Sequence, residues 1–210
     1  MFAGSDAVVQ ALREDNSGIG VKPYPESKVH PGRRLMRNQI IFFSDLFSRA
    51  SLDELVPRFA QNVEKWCEAQ SGIGTEWVER PDLFQFVREI IFSCSVDALF
   101  GDSLRDLNPN LFSDFFEYDD QINKLAMPTP DWTKRSVIKA RNRCHAAMVK
   151  WRNNAVEKSK DIPIDEDNEP PWNDIWGLTA LRRRTKLYDG TAGLYGEQDR
   201  ASTDLALLWS

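Results

Sequence analysis

Three cysteines, Cys67, Cys94 and Cys144, are the residues whose type could carry redox, nucleophilic or metal chemistry. Their number is odd and no two have C-x-x-C spacing, which argues against a disulfide framework or a zinc site and for a reducing compartment. Cys94 lies in an apolar run and Cys144 follows Arg141-Asn-Arg143, so both read as small buried hydrophobes. His145 stands on a basic stretch without a second ligand at metal spacing and reads as structural. Glu117-Tyr-Asp-Asp120 is the nearest approach to a magnesium-holding acidic cluster, but no second cluster completes it. Arg182-Arg-Arg184 could bind an anion, although so short a run in an acidic chain reads as a solvated helix face. Glu197-Gln-Asp-Arg200 matches E-x-x-R, a spacing that a chain rich in Glu and Arg produces by chance.

The frame for these residues is a globular composition: 210 residues, 41% hydrophobic and 11% aromatic, enough to bury a core. A formal net charge of -5 argues against nucleic acid as a partner, because phosphate binding needs a clustered positive field. The uninterrupted apolar runs, such as Ile40–Phe43 and Ile90–Phe92, fall far short of the roughly 20 residues of a membrane span. The opening Met1-Phe-Ala-Gly-Ser-Asp6 has no basic region followed by an apolar one, so no secretory signal is expected.

Helical periodicity dominates, and no strand run or internal repeat is visible, so an all-α fold is predicted. Arg33–Ser48 places Met36, Ile40, Phe43 and Phe47 on one stripe of an amphipathic helix. Ser51-Leu-Asp-Glu54 reads as a capping box opening a helix with Leu55, Phe59, Val63 and Trp66 on its apolar face, and Pro57 predicts a kink or a later start. Asp82 caps a helix that runs through Val87, Ile90, Ile91, Cys94 and Ala98, buried on most sides, to a stop at Gly101. Asn108-Pro109 opens another, with Leu111, Phe112, Phe115, Ile122 and Leu125, ended by Pro128 and Pro130. Thr133–Lys158 carries a narrow stripe of Val137, Ile138, Cys144, Met148 and Trp151 on an otherwise basic surface helix. Residues 159–175, acidic and rich in proline, are expected to form a mobile loop; Trp172 and Trp176 could anchor a partner or dip into a membrane interface, with burial against the parent domain the plainer reading. A short helix around Leu178–Leu187 and a last one from Ser202-Thr-Asp204 come next, and Leu207-Leu-Trp-Ser210 reads as a helix cut midway.

The order and wording of these blocks resemble the middle of a cytochrome P-450, a haem-thiolate monooxygenase, of the fungal type related to the sterol 7α-hydroxylase and prostacyclin synthase branch. Ala11-Leu-Arg-Glu-Asp-Asn-Ser-Gly-Ile-Gly20 looks like the segment before helix C, and His30-Pro-Gly-Arg-Arg34 with the residues after it looks like helix C. Asp82–Gly101, ending in Ala98-Leu-Phe-Gly101, is similar to helix E. Leu111–Met127 and Thr133–Val156 look like helices F and G, and Arg200–Ser210 like the start of helix I. The resemblance implies one partial domain over residues 1–210, running from helix B′ to the start of helix I. It implies haem as cofactor of the longer parent, an NADPH-dependent reductase and a lipophilic small molecule as its partners, and the cytosolic face of the endoplasmic reticulum membrane as its location.

The same resemblance supplies candidate site residues. Where the family carries W-x-x-x-R to hold a haem propionate, this chain has His30 and Arg34 at the same spacing, with Arg37 one turn on. A solvated basic helix start is the alternative reading of that cluster. Ile19, Leu125 and Met127 would face substrate. The family's cysteine-ligand loop, F-x-x-G-x-x-x-C-x-G, is not found, and Cys67, Cys94 and Cys144 lack the glycine-rich turn that exposes a thiolate to iron. No catalytic residue is therefore assigned, and the chain alone is expected to be inactive and poorly folded. A non-enzymatic helical interaction module derived from such a sequence is the alternative, and an unrelated isoprenoid-handling enzyme is disfavoured by the missing second acidic cluster.

Overall fold

The computed structural model of the protein describes residues 5–70, 74, 77–163, 165, 168–191 and 193–209, with the side chain of Asp131 left aside. The expectations for Met1–Gly4 and for Ser210, and part of that for the 159–175 stretch, lie outside the described residues. Within them the chain is all-helical, as expected. The helices are α1 (Asp6–Glu14), α2 (Leu35–Leu46), α3 (Arg49–Ala69), α4 (Leu83–Phe100), α5 (Ser103–Leu107), α6 (Leu111–Asp119), α7 (Asn123–Ala126), α8 (Arg135–Ser159), α9 (Thr179–Asp189) and α10 (Glu197–Leu205). None is long and apolar enough to cross a membrane. A two-residue antiparallel ladder, β1 (Trp172–Asn173) with β2 (Gly177–Leu178), is the one departure from helix among the described residues. It is too short to show the alternation by which strands are read from sequence. Gly177 turns it with φ +69°, and a Cβ there would stand 2.3 Å from the Leu99 carbonyl oxygen, so the hairpin abuts the end of α4.

The longest helix, α8, organises the main core. Its stripe Val137, Ala140, Cys144, Met148, Trp151 and Ala155 is buried, largely as the periodicity predicts. Against it pack α6 and α10. Trp151 meets Phe100 edge-on at 5.1 Å and Trp176 at 5.7 Å, and its indole N–H donates to the Phe100 carbonyl at 3.2 Å. Trp172 donates to the Ala98 carbonyl at 2.8 Å beneath the Arg58 guanidinium, and Trp176 is buried, so both tryptophans are held by the chain itself. A smaller cluster of Val8, Leu35, Tyr188 and Tyr195 joins α1, α2 and α9.

Several local expectations are corrected. Ser48, not Ser51, caps α3, accepting from the Ser51 amide at 3.1 Å, while the Ser51 hydroxyl donates to the Asp45 carbonyl. Pro57 therefore lies in the interior of α3, where its missing N–H leaves the Asp53 carbonyl without its usual helical donor. Asn110, not Asn108, precedes α6, and the expected continuous helix to Leu125 breaks into α6 and α7. In α2 the buried face is Leu35, Phe42 and Leu46, and the stripe read as core, Met36 (45% exposed), Ile40, Phe43 (45%) and Phe47 (59%), faces outward. Two apolar stripes one residue apart fit the same helical period, so periodicity could not say which one is covered. The first turns of α4 are likewise open, with Phe84 72% exposed, although its second half is buried.

Arg182-Arg-Arg184 is no solvated face. Arg182 and Arg184 are buried, Arg182 paired in two places with Glu169, and Arg184 with Asp204. Asp204 also takes both Nε and Nη2 of buried Arg152, so one carboxylate on α10 holds cations from α8 and α9. Removing one member of a buried ion network strands the rest without compensation. Asp204→Ala is expected to lower unfolding stability by about 3–5 kcal/mol, by urea titration. Asp45→Ala, which loses the half-exposed Arg183 pair, should cost about 1 kcal/mol or less.

Candidate functional site

The residues singled out in the sequence converge only in part. Arg34 ends the 3-10 turn Pro31–Arg33 and stands at the N-cap position of α2 without a side-chain capping bond. Its guanidinium turns inward and is 7% exposed. Nη1 donates to the Val21 carbonyl at 2.8 Å, Nη2 to those of Gly20 at 2.6 Å and Gly18 at 3.3 Å, and Nε to Ser17 Oγ at 3.3 Å. Arg37 donates to the Ile19 carbonyl at 3.1 Å. Both arginines thus grip one loop, residues 17–21. His30 does something else: its Nδ1 accepts from the Gly32 amide at 3.1 Å and caps the 3-10 turn. Beside it an open polar groove of about 630 Å³ is lined by Glu14, Glu26, Lys28, His30 and Arg33, without Arg34 or Arg37.

Asp15 was not found by sequence reading and is central to the arrangement. Its Oδ1 accepts from the Ser17 amide at 3.0 Å and hydroxyl at 2.6 Å, and its Oδ2 from the Met36 amide at 3.0 Å. It therefore satisfies one orphan donor at the start of α2. Burial pushes the Asp15 carboxyl up, but the Ser17 hydroxyl and the Met36, Ser17 and Leu35 amides outweigh it and hold the carboxyl below the ordinary aspartate range. An Asp two residues before a Ser is an ordinary turn signal, and the α2 contact spans 21 residues, so local spacing gave no hint of it.

A haem propionate needs exposed, available donors. Four of Arg34's five N–H groups already have acceptors in the chain, and the side chain is buried, so Arg34 as placed does not offer that carboxylate a free fork. The cysteines do not fit an iron thiolate either. Cys94 and Cys144 are buried within helices, and burial pushes the Cys144 thiol up to about 12, with Asp114 adding to it. Burial and then Asp97 also raise Cys94. Among the described residues no group of three or more His, Cys, Asp and Glu is arranged to hold a metal.

The remaining candidates are dispersed. Ile19 sits half-exposed on the loop gripped by Arg34 and Arg37, Leu125 packs against the main core, and Met127 is half-exposed just past α7. His145 is buried against Gln198 at 2.9 Å, and burial lowers its pKa. Glu117 pairs with Arg143, and Asp119 and Asp120 with Arg88, which accounts for the acidic cluster. An apolar cavity of about 330 Å³ opens between α4, α6 and the last turn, lined among others by Ile91, Phe116, Leu208 and Trp209.

The class that this geometry defines is an all-helical assembly with buried thiols and a clasped loop. Comparison with known proteins goes further. The chain is 31% identical over 167 residues to the cytochrome P450 monooxygenase efuG of Hormonema carpetanum, covering 79% of this chain and 29% of that protein. It is 30% identical over 161 residues to the cytochrome P450 monooxygenase fsoE of Humicola fuscoatra, covering 76% of this chain and 27% of that protein. Both relatives are cytochrome P450 monooxygenases, and the chain spans less than a third of the length of either. No protein-family model and no solved structure matches it significantly.

Two measurements check the site. A thiol reagent at pH 8 should titrate exposed Cys67 rapidly and reach Cys94 and Cys144 only in denaturant, because the thiolate is the reactive form and burial disfavours it. Asp15, with its folded pKa depressed, contributes its full stabilisation above the ordinary aspartate pKa. That contribution should fade as pH falls through the folded value, read as loss of hydrogen-exchange protection at the Met36 amide.

Proposed function

We propose that these residues are the helical section, from the segment before helix C to the start of helix I, of a haem-dependent monooxygenase of the cytochrome P450 superfamily. The whole protein would insert one oxygen atom of O₂ into a C–H bond of a lipophilic substrate, sterol-like or a secondary metabolite. An NADPH-dependent reductase would supply electrons, at the cytosolic face of the endoplasmic reticulum. The observation that carries this reading is the similarity to two fungal P450 monooxygenases over more than three quarters of this chain. The helical order of the described residues agrees with it.

This section would supply scaffold and lid rather than the reacting centre. A thiolate beneath the iron is what lets this class of enzyme cleave the O–O bond. Cys94 and Cys144 are buried thiols and Cys67 stands on the outside of α3, so none is placed to serve. We therefore infer that the 210 residues alone do not oxidise a substrate. Two experiments test the reading. Sequencing the complete transcript should place these residues in an open reading frame that also encodes a cysteine-ligand loop; a frame without one would remove the monooxygenase assignment. The 210-residue chain, reduced with haem and carbon monoxide, should show no thiolate-type Soret band, and a band of that type would refute its inactivity.

A further inference from the structure

Arg34 presents a disagreement between expectation and geometry. A cation at the N-terminus of a helix meets the positive end of the macrodipole, so α2 gains nothing electrostatically from it there. Burying a guanidinium is costly unless its donors find acceptors. It is nevertheless 7% exposed, and no carboxylate among the described residues pairs with it directly. What it has is a ring of main-chain carbonyls from Gly18, Gly20 and Val21, and the Ser17 hydroxyl. That hydroxyl in turn donates to Asp15 at 2.6 Å, and Ser17 is fully buried. A relay from carboxylate through hydroxyl to guanidinium thus links the residues after α1 to the first turn of α2, which Asp15 also caps.

The backbone of the loop is shaped for this. Gly18 has φ +74°, a conformation side-chain-bearing residues rarely adopt, and a Cβ there would lie 2.7 Å from the Tyr24 ring. Tyr24 returns the chain by donating its amide to the Ser17 carbonyl at 3.1 Å. Carbonyls that would otherwise face solvent in different directions are turned onto one planar fork. Ile19 is carried on the outside of the turn, its own carbonyl held by Arg37.

We propose that Arg34 is a positioning residue that fixes the conformation of the Ser17–Val21 loop through its carbonyls and the Ser17–Asp15 relay, and that it does not bind a haem propionate. A lysine cannot replace it, because a compact ammonium lacks the planar fork that reaches three carbonyls and a hydroxyl together. Gly18 serves the same device from the backbone side.

The test compares Arg34→Ala, Arg34→Lys and Gly18→Ala in the whole protein by amide hydrogen exchange, with the amides of α8 as the control for an intact fold. All three variants should raise exchange across Ser17–Tyr24 on the order of tenfold or more while α8 stays unchanged. Unchanged exchange in the loop of Arg34→Ala would overturn the proposal. A second arm, which does rest on the monooxygenase reading, measures haem content after reconstitution. Haem retained equally by Arg34→Ala and Gly18→Ala supports the positioning role. Haem lost by Arg34→Ala but kept by Gly18→Ala would restore the propionate role and refute the proposal. Because the exchange arm needs no haem, its failure is distinguishable from failure of the family assignment.

Discussion

The structure turns on a single carboxylate. Asp204 receives Arg152 from α8 and Arg184 from α9, and α10 therefore cannot rotate or slide without stranding two buried cations. Apolar packing between helices specifies distance well but rotation poorly, since neighbouring stripes can substitute for one another. A charged, directional contact resolves that ambiguity. Arg184 extends the effect to α2 by lying over the Phe42 ring at 4.2 Å. Four helices are thereby held in one arrangement, and the large aromatic core of Phe100, Trp151 and Trp176 closes beside it.

Much of this was legible in the sequence because it is local. The Asp82 cap and the Gly101 stop of α4, and the stripe of α8, are each written within a few residues. Information that lives in long-range contacts was not. The burial of Arg182 and Arg184 depends on acceptors 13 and 20 residues away, and α2 is oriented by α9, which Arg183 joins to Asp45 across 138 residues. A run of arginines in an acidic protein looks solvated until Glu169 and Asp204 are seen to meet it.

The candidate site divides the same way. His30, Arg34 and Arg37 were visible as a basic group at the start of a helix, and the structure keeps Arg34 and Arg37 together on one loop. Apart from the Ser17 hydroxyl, the acceptors of the two arginines are backbone carbonyls, which carry no sequence signature at all. Asp15 and Ser17 look like an ordinary turn, and only the fold reveals that the turn is gripped from the far side. The exposed apolar residues of α2 and of the first half of α4 are surfaces of the kind that other polypeptide covers.

One contact bears on how the chain assembles as it is made. Asp199, near the start of α10, accepts from the Gly196 amide at 3.0 Å and from the Ser5 hydroxyl at 3.1 Å, and it also binds the Ser5 amide, across a separation of 194 residues. During translation α1 leaves the ribosome well before its acceptor exists, and closing so large a loop is the slow entropic step of such a topology. The small cluster around Val8 and Tyr195 therefore closes only after α10 has been made, and the nine-residue α1 draws most of its helical stability from that docking.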